Sequence, residues 1–224
     1  MDVNDDILIR AERHAAVGEP TRLAILEDLV ASDRTPSEIA RRFDRPTNLL
    51  AHHLNTLERA GLIGRTRSSG DGRRRYVRAD HRAAADLGIV PREPVGPVLF
   101  VCTHNSARSQ LAAALWEQAT GEPAGSAGTH PAERVQPGAV AAARRAGLDL
   151  AGAVPRSLDG LQIAAYQVIT VCDRAHEELD PAGSWWHWSV PDPVPDGRPT
   201  AYDAALRRID ERIQPITGDS HRWN

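Results

Sequence analysis

Four bulky or β-branched apolar residues, Val98-Leu99-Phe100-Val101, run straight into Cys102. Arg108 follows six positions later, ahead of Ser109 and the helix-favouring run Gln110-Leu111-Ala112-Ala113-Ala114-Leu115-Trp116. A short continuous apolar run fits a strand buried on both faces, and residues 103–116 predict a tight loop and then a helix. A loop at such a junction points several backbone N–H groups inward, and the helix start adds partial positive charge, so a tetrahedral oxyanion fits there. Arg108 can grip two of its oxygens with a planar fork. The same field favours a Cys102 thiolate, a nucleophile rather than an inert buried thiol.

The run Val101-Cys102-Thr103-His104-Asn105-Ser106-Ala107-Arg108-Ser109-Gln110 resembles the catalytic loop of the low-molecular-weight phosphatase superfamily, and more closely its arsenate reductase branch. The resemblance implies that Thr103, His104, Asn105, Ser106 and Ala107 form or support the oxyanion cradle. It also implies that Asn105 holds the loop's unusual backbone and that Ser109 donates a hydrogen bond to the Cys102 thiolate.

Downstream, Gly125–Thr129 reads as a short strand, Pro137 to Ala146 as an alanine-rich helix stopped by Gly147, and Tyr166 to Cys172 as a second strongly β run. Trp185 to Val190 is a poorer strand, and Tyr202 to Gln214 a final helix. Strands alternating with helices predict an open, parallel, four-stranded sheet in a three-layer α/β domain. Ligands in such sheets bind beyond the carboxyl ends of the strands. Cys102, Cys172 and Asp192 each fall at such an end, which is reason to gather them in one site. Asp192 lies between Pro191 and Pro193, so its backbone is held stiffly. Phosphoryl or arsenyl transfer needs a proton donor for the leaving oxygen, and in the resembled family an aspartate of a late Asp-Pro pair has that role.

Cys172 distinguishes the two chemistries. A phosphatase needs one cysteine, whereas a reductase needs a second thiol to attack the Cys102–arsenic adduct. Thioredoxin-coupled reductases typically carry a third cysteine a few residues on, and Cys172-Asp173-Arg174-Ala175-His176-Glu177-Glu178-Leu179-Asp180-Pro181 has none. Either Cys102 and Cys172 pair directly, which needs Cα atoms within about 7 Å, or a small thiol such as mycothiol completes the cycle. The phosphatase branch usually shows aromatic residues after its Asp-Pro pair, where this chain has Val194-Pro195-Asp196-Gly197. His104, His130, His176 and His187 show no ligand spacing, so no metal is expected.

The first ninety residues differ in character. Formal net charge for the whole chain is −3, yet residues 41–82 hold eleven arginines against four acids. Such a local basic block needs an explanation. Glu12 to Ser32 keeps helical spacing with a break at Gly18-Glu19-Pro20, where Thr21 can cap the second helix. Thr35-Pro36-Ser37-Glu38 predicts a capping box, and Leu50, Leu54 and Leu57 the buried stripe of a helix over 47–60 stopped by Gly61. Residues 62–67 and 73–78 read as strands about a Ser68-Ser69-Gly70-Asp71-Gly72 turn, with glycines where φ > 0 is wanted. Two short helices and an arginine-tipped hairpin suit a winged helix-turn-helix, its second helix reading the major groove. Adjacent His52 and His53 point about 100° apart on a helix and make poor co-ligands.

Glu19-Pro20-Thr21-Arg22-Leu23-Ala24-Ile25-Leu26 and Ala51-His52-His53-Leu54-Asn55-Thr56-Leu57-Glu58-Arg59-Ala60-Gly61-Leu62-Ile63 resemble the ArsR-type winged-helix repressors. The resemblance implies a homodimer pairing through terminal helices of this domain and an operator of palindromic form. Thr47, Asn48, Ala51 and His52 would then face the groove, and Arg73, Arg74 and Arg75 the backbone. Arsenic-sensing members use paired cysteines; residues 1–90 contain none, so this domain cannot hold trivalent arsenic through its own thiols.

The expected organisation is a winged helix-turn-helix domain over 1–87, a Pro/Gly-rich linker over 88–97 and an α/β domain over 98–224. Two cysteines make no disulfide framework, and the acidic start and the absence of a long apolar run give no signal peptide or membrane span. A reducing cytoplasm is expected, with no bound cofactor and an external reductant, mycothiol or a thioredoxin system, acting through a redoxin partner. The combined expectation is a DNA-binding regulator of arsenic resistance fused to an arsenate reductase. The alternatives are a low-molecular-weight phosphatase and a regulator whose second domain only senses an oxyanion such as arsenate or phosphate.

Overall fold

The computed structural model describes residues 3–181 and 183–218. Met1 and Asp2 of the acidic start, and the last six positions of the range expected for the second domain, lie outside the described residues. The described residues divide into two compact units, one of 3–68 and 72–92, the other of 93–218 together with 69–71 of the hairpin turn.

The first unit comprises α1 (Val3–Val17), α2 (Pro20–Ala31), α3 (Pro36–Phe43), α4 (Thr47–Arg59), β1 (Ile63–Arg67), β2 (Arg75–Ala79) and α5 (His81–Ala85). Its core is the apolar stripes of the helices closed by the hairpin: Ile25, Leu26, Leu29, Ile39, Leu50, Leu54, Leu57, Leu62 and Val77. Burying each such side chain is worth roughly 1.5–3 kcal/mol. The capping box of α3 forms as the sequence predicts, Thr35 accepting from the Glu38 amide and Glu38 from the Thr35 amide. The cap of α2 differs: Glu19, not Thr21, accepts from the Thr21 and Arg22 amides, and Pro20 occupies the first turn. Burial works against the Glu19 charge, but those amides and the nearby His53 hold its carboxyl at about 2. The stability that this charged cap contributes is therefore complete above about pH 4.5 and is lost as pH falls toward 2.

The hairpin is antiparallel, with Arg67 opposite Arg75. Arg73 and Arg74 lie in the connection, not in the strand, and the Ser68 amide donates to the Arg74 carbonyl. Neither Gly70 nor Gly72 adopts positive φ, so this wider turn closes without the left-handed residues of a tight hairpin.

The second unit comprises β3 (Val98–Cys102), α6 (Arg108–Thr120), β4 (Ala124–Gly128), α7 (Pro137–Arg145), a 3-10 turn (Ile163–Ala165), β5 (Gln167–Thr170), α8 (Asp173–Leu179), β6 (Trp186–His187) and α9 (Pro199–Thr217). All four strands are parallel, in the order β4-β3-β5-β6. Every residue of the central β3 is buried, as an apolar run flanked by strands on both edges and helices on both faces requires. Phe100 packs against Trp116 and Trp188, and Leu111, Leu115, Ile169, Leu206 and Ile209 complete this core.

The expected fourth strand, residues 185–190, reduces to Trp186–His187. Farther on, the Val190 carbonyl is taken by the Arg108 side chain rather than by a neighbouring strand. The final helix is longer than its apolar stripe, and Pro215 sits inside its last turn. Among the described residues no helix is long and apolar enough to cross a membrane.

Candidate functional site

The loop between β3 and α6 is closed by its own carbonyls. Those of Cys102, Thr103, His104 and Ser106 accept from the amides of Thr129, His130, Ala132 and Gln136, and that of Asn105 from Gln110 Nε2. Five consecutive carbonyls bonded outward leave the inner side of the loop to N–H groups, a concavity suited to an anion. Asn105 makes this curvature possible by adopting a left-handed φ of 46°, which asparagine tolerates better than most residues. Gly128 lets β4 approach: a Cβ there would stand 2.8 Å from the Thr103 carbonyl oxygen and 2.9 Å from the Asn105 nitrogen.

Cys102 Sγ lies 3.0 Å from Ser109 Oγ and accepts from the Asn105 amide at 3.2 Å. Asn105 Nδ2 in turn donates to Ser109 Oγ at 2.8 Å. Thr103, Asn105, Ser106, Ala107, Arg108 and Ser109 are all buried, whereas His104 is exposed, its Nδ1 3.0 Å from the His130 carbonyl.

Arg108 is the first residue of α6, yet its guanidinium is buried. One nitrogen donates to the Val190 carbonyl at 3.1 Å, and another pairs with Asp192 Oδ2 at 3.0 Å. Burial opposes its charge, but the surrounding Cys172, Asp192 and Cys102 groups more than offset this and raise its pKa. Asp192 remains a third exposed, and its other oxygen accepts from the Val194 amide. The carboxylate is thus aimed from both sides while still reaching solvent.

Cys172, which the sequence predicts to end a strand, lies two residues past β5 and stands as the N-cap of α8. The Val171 amide donates to the Val101 carbonyl, so the register sets Cys172 beside Thr103, and its Sγ lies 3.2 Å from Thr103 Oγ1. Both cysteines are free and buried. Polar groups anchor the residues around Cys172: Thr170 Oγ1 is 2.9 Å from both His176 Nδ1 and His187 Nδ1, and His187 Nε2 is 3.1 Å from Asp173 Oδ1. Burial opposes the Asp173 charge, but His187 holds its carboxyl below the usual range. Among the described residues no His, Cys, Asp and Glu group of three or more could hold a metal ion.

The structure therefore brings Cys102, Arg108, Asp192 and Cys172 to one end of the sheet, although they lie up to ninety positions apart in sequence. Gly128 and the Val190 carbonyl belong to the same assembly and escape a reading based on motif residues, as does the part played by Gln110, which closes the motif run but is given no role by it. A concavity of this unit surrounds the starts of β3 and β4, among Pro94, Pro97, Trp116 and Ile216, and includes none of these groups.

In the first unit, Thr47, Asn48, Ala51 and His52 share the exposed side of α4, while His53 is buried with Leu50, Leu54 and Leu57. His53 Nδ1 faces Glu19 Oε2 at 3.5 Å. Arg73, Arg74 and Arg75 are exposed at the hairpin end.

Residues 97–219 match the family model described as low molecular weight phosphotyrosine protein phosphatase, and residues 17–64 match one described as a helix-turn-helix domain. Among solved structures, the chain is similar to an arsenate reductase from Archaeoglobus fulgidus, with 29% identity over 55% of this chain and 99% of that one and a TM-score of 0.46. An arsenate reductase in an oxidized state is 25% identical over 55% and 98%, with a TM-score of 0.47. The tyrosine phosphatase Wzb from Escherichia coli, in complex with sulphate, is 19% identical over 53% and 93%, also with a TM-score of 0.47.

Proposed function

Because this chain belongs to the low molecular weight phosphotyrosine protein phosphatase family and carries a helix-turn-helix domain ahead of the matching region, we propose that it is a DNA-binding regulator of arsenic resistance fused to a thiol-dependent arsenate reductase. In this reading the loop amides and Arg108 hold arsenate, and Cys102 Sγ attacks arsenic. A hydroxide leaves with a proton from Asp192, giving a sulfur–arsenic adduct. A second thiolate then attacks Cys102 Sγ. The sulfur–arsenic electron pair passes to arsenic, arsenite departs, and a disulfide remains for an external thiol system to reduce.

The observation carrying this reading is the second buried thiol at the loop, Cys172 Sγ at 3.2 Å from Thr103 Oγ1. Phosphate ester hydrolysis has no step for it. Arsenite production from arsenate by the full chain, with mycothiol and mycoredoxin or with thioredoxin supplied, is the expected result. No turnover with any of these, from protein that remains folded, removes the reading. The family match favours a second one, phosphatase action on phosphotyrosine or small esters, which brisk aryl phosphate hydrolysis without arsenite formation would select. DNA release by arsenate or phosphate without turnover, unchanged in Cys102→Ser, would instead mark the second domain as an oxyanion sensor.

For the first unit we propose a homodimer on a palindromic operator, with the exposed side of α4 on base edges and the wing arginines on phosphates. Replacing Arg73, Arg74 and Arg75 together by alanine should weaken binding by similar factors on all sequences. With three contacts on each of the dimer's two wings, it should also reduce the slope of log affinity against log salt by about 5. Fluorescence anisotropy at several salt concentrations measures this, and an unchanged slope removes the wing from the interface. A reducing cytoplasm is the compartment that suits two working thiols.

A further inference from the structure

We infer that Gln110 is a positioning residue for Cys102, acting through Asn105 and Ser109 to fix which way a hydrogen-bonded chain points. The inference rests on the reading of Cys102 as a thiolate nucleophile, and goes beyond it to a residue with no contact to the sulfur.

Gln110 stands in the first turn of α6 and is buried at 7 % exposure. Its Nε2 lies 3.0 Å from Asn105 Oδ1, 3.2 Å from the Asn105 carbonyl and 3.4 Å from the Val154 carbonyl. The Arg156 amide donates to the same Asn105 Oδ1 at 2.8 Å. A terminal amide atom that receives a backbone N–H must be the oxygen, so the assignment of the Asn105 side chain is forced by its partners. Its other end, Nδ2, is then a donor, and it faces Ser109 Oγ at 2.8 Å.

A serine hydroxyl has one proton. With Asn105 donating to its oxygen, that proton is free to point at Cys102 Sγ, 3.0 Å away. The chain thus runs one way, from Gln110 to Asn105 to Ser109 to sulfur, and each link is buried. Such a chain strengthens its last bond, the one made to a charge. Gln110 has a second effect at the same place. Four of the five outward carbonyls of the loop are served by backbone amides, and the fifth, on the left-handed Asn105, is served by Gln110. It also ties that residue to the Val154 segment, which carries the Arg156 amide.

Gln110→Glu keeps the shape but replaces the donor with acceptors, facing three oxygens that can only accept. Asn105 is then pushed to rotate its amide, and the Ser109 proton loses its fixed direction. The test uses full-length protein in a Cys172→Ser background, where Cys102 is the sole remaining thiol. The rate of Cys102 alkylation by iodoacetamide is followed against pH by intact mass.

Gln110→Glu should move that profile upward by about half to one pH unit, slowing alkylation near neutrality by about three- to tenfold. Gln110→Met, which removes the donor without adding charge, should move it the same way by less, and covers the case in which the glutamate variant does not fold. Ser109→Ala should move it at least as far, and adding Gln110→Glu to Ser109→Ala should move it no further, because the link it acts through is gone. An unmoved profile in a folded Gln110 variant, or full additivity with Ser109→Ala, overturns the inference. An unmoved Ser109→Ala profile overturns it together with the thiolate reading. Neither arsenate nor a reductant enters the assay, so failure of the reductase reading leaves this result standing.

Discussion

Cys102→Ser should give a folded protein that turns over neither arsenate nor an aryl phosphate, with losses on the order of 10⁴-fold or more in kcat. The cradle stabilises an anion but contains no evident base to make one from an alcohol. The Asn105 amide and the Ser109 hydroxyl surround Cys102 Sγ as hydrogen-bond donors, and a serine there stays protonated at any working pH. Asp192 does not substitute for the missing base. It is paired with Arg108 at 3.0 Å, and the proposed reaction uses it as the acid for the departing oxygen. The substitution changes one atom among polar neighbours, so the thermal midpoint should hardly move, which separates lost chemistry from lost fold. Arg108→Lys should be milder, on the order of 10²- to 10³-fold, because a point charge remains while the planar fork and its anchor on the Val190 carbonyl are lost. Activity of Cys102→Ser within tenfold of the parent, in either assay, would assign the attack to another group.

The parts of this site that the sequence announces are those fixed by local chemistry. An all-apolar run into Cys102 can only be an interior strand, and the strand-then-helix order places its carboxyl end beside those of β5 and β6. That alone is enough to associate Cys172 and Asp192 with Cys102. The capping box at Thr35 and the leucine stripe of α4 are legible for the same reason, since each is decided within one or two turns of helix.

What escapes is decided by partners distant in sequence. Glu19 displaces Thr21 as the cap because a longer side chain reaches two amides at once. The fourth strand stops early, and beyond it Arg108, from eighty positions upstream, claims the Val190 carbonyl. Gln110 reads as one more polar residue in an alanine-rich helix until the curl of the loop brings Asn105 over it. Gly128 reads as a loose strand end until the Thr103 carbonyl is seen to press against it. A glutamine in the first turn of a helix is a known reach-back position, and it is the one local signal that could have marked Gln110.

Cys172→Ser should separate the two reactions proposed for this cradle. Arsenate reduction is expected to fall to background, while aryl phosphate hydrolysis stays within about threefold, since the change leaves Cys102, Arg108 and Asp192 in place. Serine can keep the bond that Cys172 makes to Thr103 Oγ1, so the loop loses no partner. Val101 pairs with Thr170 across neighbouring strands, so Cys172 falls level with Thr103, one residue beyond the position opposite Cys102. Ordinary strand spacing then puts the two Cα atoms roughly 6 Å apart, but side chains offset by one residue alternate faces, so a direct disulfide needs Cys172 to swing round. Its immediate neighbour is Thr103, so the attack on Cys102 must break that hydrogen bond and turn the side chain toward the adduct. Parent protein treated with arsenate and no reductant should therefore lose two hydrogens in intact mass, with Cys102 and Cys172 linked in the peptide map. Reduction that survives Cys172→Ser, with a small-thiol adduct on Cys102, would transfer the second attack to the external thiol. Phosphoryl transfer ends when water strikes the adduct, and no electrons change owner. It has no step for a second sulfur, and that is why a single substitution at Cys172 distinguishes the chemistries.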